Sequence, residues 1–156
     1  MLTRFCKIVL ALMFCSSFAV AEASDCQGVM THEVQMLNKS AAHPKIKMVF
    51  EPSYIAIAPG DCVKFLPTSK GHNAETIKKM YPKAAKKFKS KVNKEFVVRL
   101  EVEGLYGIKC TPHYQMGMVA LIQVGEVSEE SLSKSAKVKH RGKAKGRFKM
   151  LFSALE

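Results

Sequence analysis

Cys110-Thr-Pro-His113-Tyr-Gln-Met-Gly-Met118 sets a thiolate, an imidazole and a thioether within nine residues. A loop between two strands can fold these three groups around one ion. A second imidazole is offered by His72 in Lys70-Gly71-His72-Asn73, 38 positions before Cys110. Thiolate and thioether donors with two imidazoles suit copper, and two His with one Cys in a trigonal plane plus a distant axial Met is the blue-copper pattern. Zinc can use the same groups but usually takes four strong ligands rather than a thioether. Met116 competes with Met118 for the axial role, and the Cys-x2-His-x4-Met spacing favours Met118. Taken singly, each of these residues reads as a structural histidine or a buried thiol. Their coincidence in type and placement argues for a metal site.

Such a site needs a rigid frame. From Glu33 to Gly125 the chain reads as short strands between turns. Val63 and Phe65 alternate with Lys64, and Phe96, Val98, Leu100 and Val102 alternate with Val97, Arg99 and Glu101, a period of two that means one buried face. Glu33–Leu37, Met48–Phe50, Tyr54–Ala58, Leu105–Cys110 and Val119–Val124 are further strand candidates, with Pro59-Gly60-Asp61 and Glu103-Gly104 as turns. Many short strands without strand–helix alternation favour an all-β sandwich. Pro82-Lys-Ala-Ala-Lys-Lys-Phe within Tyr81–Ser90 predicts a short inserted helix, with Pro82 in its first turn. After Glu126 the composition turns helical. Ser128 with Glu129 and Glu130 resembles an N-cap and acidic first turn, and Phe148, Leu151, Phe152 and Leu155 fall on one face of a closing helix. The basic stretch Lys137–Arg147 between the helices reads as solvated surface. No internal repeat is present.

The 156 residues allow one domain plus a targeting segment, and an apolar share of 47% supplies a core and argues against disorder. A basic start, an apolar run from Ile8 to Val20 and Ala19-Val-Ala-Glu-Ala23 predict a signal peptide over residues 1–23, cleaved after Ala21 or Ala23. The apolar run is shorter than the roughly 20 residues a membrane span needs, so no membrane span is expected. Residues 1–23 carry Arg4, Lys7 and Glu22, and their removal lowers the net charge only from +12 to +11. A surplus of that size attracts acidic partners, nucleic acid or anionic surfaces; export argues against nucleic acid. Of the five cysteines, Cys26, Cys62 and Cys110 stay in the mature chain. In an oxidising compartment two can pair, and one is then free or bound to something else.

Met48-Val-Phe-Glu-Pro52, Pro67-Thr-Ser-Lys-Gly-His-Asn73, Phe88-Lys-Ser-Lys91 and Tyr106-Gly-Ile-Lys-Cys-Thr-Pro-His-Tyr-Gln-Met-Gly-Met-Val119, followed by two helices, resemble the pseudoazurins from about Glu33 to the C-terminus. The ligand loop alone is shared with plastocyanin, but the helical tail and Glu75-Thr-Ile-Lys78 are not plastocyanin-like. The resemblance implies an eight-stranded Greek-key cupredoxin sandwich with two C-terminal helices: a cupredoxin domain over residues 24–125 and a helical extension over 126–156 packed on it. It implies one copper ion, cycling between Cu(I) and Cu(II), held by His72, Cys110, His113 and Met118. It also implies that Asn73 ties the two ligand loops together near Thr111, and that Met48 lies against the His113 ring. The implied role is a monomeric periplasmic one-electron carrier for an acidic redox protein, a nitrite reductase of denitrification or a c-type cytochrome. The implied docking surface is Pro112 and Met116 around the edge of His113, ringed by Lys39, Lys70, Lys89 and Lys109. Departures from the pattern are Cys62 in place of Thr, Cys26 in an extended lead, Gln115 in place of Gly, and a more basic segment at Lys83–Lys87.

With Cys110 engaged by metal, Cys26 and Cys62 are an even remainder, and the cupredoxin frame starts its first strand beside the strand Cys62 opens. A Cys26–Cys62 disulfide is expected; two separate thiols or pairing of Cys26 between chains are the alternatives. Two other functions compete. A copper carrier or storage protein would pass on the ion itself, but such proteins tend to use exposed Met or Cys clusters. A copper enzyme needs a second, open site, and His32, His43 and His140 are scattered, so enzymatic activity is not expected.

Overall fold

The computed structural model describes residues 26–155; the expected signal peptide lies outside them. Eight strands form two four-stranded sheets. They are β1 (Thr31–Lys39), β2 (Lys47–Glu51), β3 (Tyr54–Ile57), β4 (Cys62–Leu66), β5 (Glu75–Thr76), β6 (Phe96–Arg99), β7 (Gly104–Lys109) and β8 (Val119–Val124). One sheet runs β2-β1-β4-β6 and the other β3-β8-β7-β5. Each contains one parallel pair, β1 with β4 and β3 with β8. The helices α1 (Glu129–Ala136) and α2 (Lys143–Ser153) follow.

Between the sheets lie Val34, Met36, Phe50, Phe65, Tyr106, Ile108, Ile122 and Val124. The apolar alternation of β4 delivers Val63 and Phe65 to this core, as a half-buried strand should. β7 and β8 are buried nearly throughout. The reason is a third layer: Leu105, Val119 and Leu121 point the other way, against Ala144, Phe148 and Phe152 of α2. A sheet covered on both faces needs no polar side, so Val119-Ala-Leu-Ile122 can be continuously apolar.

The tail follows the sequence pattern. Ser128 caps α1, its side chain accepting from Ser131 N–H at 3.2 Å, and Phe148 and Phe152 are buried with Leu151 and Leu155 packed beside them. The lead is fastened by a Cys26–Cys62 disulfide with Cα atoms 6.0 Å apart.

Three expectations need correction. No helix forms within Tyr81–Ser90: a single turn closes from Ala85 N–H to Pro82 O, at 3.0 Å. The chain then extends, because Thr76 pairs with Phe88 in both directions, through Thr76 N–H to Phe88 O at 3.1 Å and Phe88 N–H to Thr76 Oγ1 at 3.1 Å. Phe88 thereby reaches Phe65 and Phe96 in the core. Tertiary pairing outweighs a weak local helix preference. β6 stops at Arg99, where Leu100 turns inward and donates to Asp61 O at 3.0 Å. The two-residue strand β5 goes unread in the sequence because two residues carry no period. The third correction concerns Arg147, which is not a solvated charge.

Candidate metal centre

Two loops carry the four candidates. His72 sits on the loop after β4, while Cys110 just past β7, His113 before a single 3-10 turn (Tyr114–Met116) and Met118 just before β8 share the loop between those strands. Cys110 Sγ lies 3.7 Å from His72 Nδ1 and 3.6 Å from His113 Nδ1, and the two Nδ1 atoms are 3.1 Å apart. A point about 2 Å from all three atoms exists in their plane, the length of a metal–imidazole bond. His72 and Cys110 are fully buried and His113 is partly exposed.

The donors are poised for a cation. Asn38 Oδ1 accepts from His72 Nε2 at 2.9 Å, which puts the proton on Nε2 and leaves Nδ1 as a lone pair aimed inward. His113 presents its own Nδ1 to the same spot. Burial pushes the Cys110 thiol up, against the pull of the Asn73 and His113 backbone N–H groups, and burial followed by the neighbouring His113 lowers His72. Converging lone pairs beside a buried thiol are mutually repulsive until a cation shares them and displaces the thiol proton. The residues present therefore fit a soft metal ion with an S/N donor set.

Met118 is fully buried in the same cluster as Cys110. Its backbone is fixed from both sides: Cys110 N–H donates to Met118 O at 3.0 Å and Met118 N–H to His113 O at 3.2 Å. Met116 is exposed, outside that core.

Asn73 joins the two loops. Its Oδ1 accepts from Thr111 N–H at 2.8 Å, and its Nδ2 donates to Thr111 Oγ1 at 3.2 Å and to Ser90 O at 3.4 Å. Asn93 braces the same loop, donating its N–H to His72 O at 2.9 Å and accepting from Gly71 N–H at 2.5 Å. Asn38 and Asn93 are functional neighbours that the sequence reading missed. Asparagine is common in loops, and nothing local marks these two.

Pro112 and Met116 are exposed on either side of His113. Lys39, Lys70 and Lys89 are exposed, while Lys109 is half-buried. Lys89 and Lys109 share Glu75, at 3.5 and 3.6 Å, and Thr111 Oγ1 donates to that carboxylate at 2.6 Å. Burial opposes the charge of Glu75, but the Thr111 bond and the two lysines outweigh it and hold the carboxyl below its usual range. The two lysines are thus partly neutralised where they stand. Met48 has a left-handed backbone, φ 54°, and is half-buried against the core.

The tail also reaches the site. His140 Nδ1 meets Tyr114 Oη at 2.6 Å, and its ring stacks on Phe148 with centroids 4.2 Å apart. Among the described residues His140 Nε2 is buried without a partner, and burial lowers its pKa. Arg147 donates to Met48 O, Gly117 O and Lys47 O at 2.5, 2.6 and 2.6 Å.

A family model described as copper binding proteins of the plastocyanin/azurin family matches residues 34–125. The pseudoazurin of Paracoccus pantotrophus is 48% identical over 109 residues, 69% of this chain and 73% of that one. The pseudoazurin of Methylorubrum extorquens is 42% identical over 147 residues, 94% and 97% of the two chains. Among solved structures, pseudoazurin from Methylobacterium extorquens AM1 superposes with a TM-score of 0.75 at 44% identity, over 81% of this chain and 99% of that one. Pseudoazurin from Hyphomicrobium denitrificans gives 0.73 at 41% identity, over 80% and 97%.

Proposed function

The chain belongs to the pseudoazurins, copper electron carriers of the plastocyanin/azurin family, and from that premise we propose that it works in the periplasm with His72, Cys110, His113 and Met118 as copper ligands. The observation that carries His72, Cys110 and His113 is the triangle of Sγ and two Nδ1 atoms with edges of 3.6, 3.7 and 3.1 Å; Met118 joins them on its spacing and its burial in the same cluster. When bound, the copper supplies a one-electron couple between Cu(I) and Cu(II). The chain's part is to hold the donors still. Asn38 fixes the His72 ring, Asn73 and Asn93 lock its loop to the Cys110 loop, and burial keeps water from the thiolate. A frame that changes little between oxidation states leaves little to reorganise for each electron.

Entry and exit of the electron fall to His113, the partly exposed histidine of the pair, flanked in the chain by exposed Pro112 and Met116. The partner is an acidic redox protein, a nitrite reductase or a c-type cytochrome, drawn by a chain whose net charge is +12 before any cleavage. Lys39, Lys70, Lys89 and Lys109 serve as docking charges, with Lys39 and Lys70 the stronger pair because Glu75 offsets the other two. Met48 packs by the His113 ring.

Titration of the metal-free protein with Cu(II) tests the site. An intense thiolate-to-copper band saturating at one equivalent is expected; its absence would overturn the ligand set and favour a copper-storage role. Docking is tested separately by stopped-flow mixing with an acidic nitrite reductase. Lys39→Glu with Lys70→Glu should slow association several-fold at low salt and flatten its salt dependence, since such attraction is screened within about 8 Å at physiological ionic strength. Lys137→Glu with Lys139→Glu changes net charge equally and should do much less. Equal slowing by both pairs would leave only overall charge as the cause.

A further inference from the structure

Arg147 lies in α2, 30 residues past Gly117 and about a hundred past β2, yet its guanidinium closes on both. Nη1 donates to Gly117 O at 2.6 Å and to Met48 O at 2.5 Å, and Nη2 donates to Lys47 O at 2.6 Å. Three carbonyls from two segments thus converge on one planar cation, a fork geometry that lysine cannot reproduce. The group is half-buried and burial lowers its pKa. Among the described residues no carboxylate pairs with it, so this half-buried cation is held because the carbonyl dipoles replace its water.

The backbone around it is shaped to let it in. Gly117 has φ +94°, and a Cβ there would meet Arg147 Nε at 3.0 Å and Cδ at 3.1 Å. Gly142, just before α2, has φ +58°, and a Cβ there would fall 2.3 Å from Gln115 O. The helix start and the ligand loop are in backbone contact, so α2 cannot shift without disturbing residues 115–117. Met48, whose carbonyl Arg147 holds, is itself in a left-handed conformation that a non-glycine residue adopts only under constraint.

We infer that Arg147 is a positioning residue of the metal site: by pinning the Gly117 carbonyl it fixes the peptide that carries Met118, and by pinning Met48 it fixes the wall of β2 beside the loop. The inference rests on Met118 as the axial ligand. The hydrogen bonds of Arg147 go to the carbonyls of Met48, Gly117 and Lys47 and to none of the donor atoms; it acts through the Gly117–Met118 peptide. The bond from Met118 N–H to His113 O at 3.2 Å then passes the same constraint to the turn that follows His113.

The test uses the copper-loaded protein with Arg147→Met, Arg147→Lys and, as control, Lys149→Met on the exposed side of the same helix. Arg147→Met should lower copper affinity about 10-fold in chelator competition, the usual scale for losing a group that orients a ligand. It should also change the ratio of the two thiolate-to-copper bands, which follows the axial bond. Arg147→Lys should restore part of both, and Lys149→Met neither. Loss of thermal stability in Arg147→Met with affinity and band ratio unchanged would make Arg147 purely structural and overturn the inference. So would a band-ratio change of the same size in Lys149→Met, which would point to charge alone. If Arg147→Met does not fold, Arg147→Lys decides: unaltered affinity and band ratio there sink the inference. Met118→Leu separates the premise, since an unchanged spectrum in that variant would refute the axial assignment itself.

Discussion

The two flanks of the ligand loop are held by different means. On the His72 side, Asn73, Asn93 and Thr111 make a neutral net of hydrogen bonds between loops that the sandwich already brings close. On the Met118 side the grip comes from outside the sandwich, from His140 on Tyr114 and Arg147 on Gly117. The first flank is built of short polar side chains, two of them, Asn73 and Thr111, next in sequence to His72 and Cys110, and the third, Asn93, on a separate loop. The second depends on a helix docking in one orientation, so the tail is part of the site's support as well as a cover for Leu105 and Leu121.

Removing a donor common to both flanks should have the largest effect. Cys110→Ala should abolish the thiolate-to-copper band outright, measured by visible absorption after adding Cu(II). Any residual intense band would mean that another group supplies the thiolate.

Stability comes next. Replacing Cys26 and Cys62 by Ser opens a crosslink of sequence separation 36, far from either flank, and should cost about 2–4 kcal/mol in denaturant unfolding. The copper spectrum should stay as it was; a shifted spectrum would mean that the flanks depend on the lead. Asn73→Ala strikes the first flank. It strands Thr111 N–H and should cost about 1–3 kcal/mol, with faster copper loss, read by unfolding and chelator competition. If copper loss is unchanged, the net between the loops supports the fold and not the site.

On the second flank, Met118→Leu should raise the reduction potential by at least about 60 mV, tenfold in a one-electron equilibrium, because the thioether favours the oxidised ion. Cyclic voltammetry reads it directly. A shift in Met116→Leu and none in Met118→Leu would reverse the axial assignment.

The smallest effect concerns His140. Burial lowers its pKa, so the unfolded chain binds the proton more readily. The stability it contributes is then present above the ordinary histidine range near 6.5 and falls as pH drops through the folded value. Among the described residues its surroundings offer no anion: Tyr114 and Phe148 touch it, Lys137, Lys139, Lys145 and Lys149 line the same hollow, and Lys109 lies over Tyr114. His140→Phe should therefore flatten the acid limb of the thermal-stability profile below about pH 6.5. An unchanged acid limb would show that the tail latch does not titrate.

Much of this was legible in the sequence. Cys-x2-His-x4-Met is a local string, and local strings survive whatever the rest of the chain does. Period-two alternation located β4 and β6 because each buries one face, and Phe148, Leu151, Phe152 and Leu155 announced the inner face of α2 for the same reason. The failures also have a physical pattern. Tyr81–Ser90 looked helical by composition, but its backbone groups found better partners in Thr76 and its Phe88 found the core. Arg147 looked like one more surface cation in a basic stretch. Only the docking of α2 brings it to Met48 and Gly117, since a charge carries no mark in the sequence of which carbonyls it will meet. Asn38 and Asn93 are silent for the same reason. Residue type and spacing determined what the site can bind; which groups hold that site in shape was decided by contacts between segments dozens of residues apart, which only the folded chain creates.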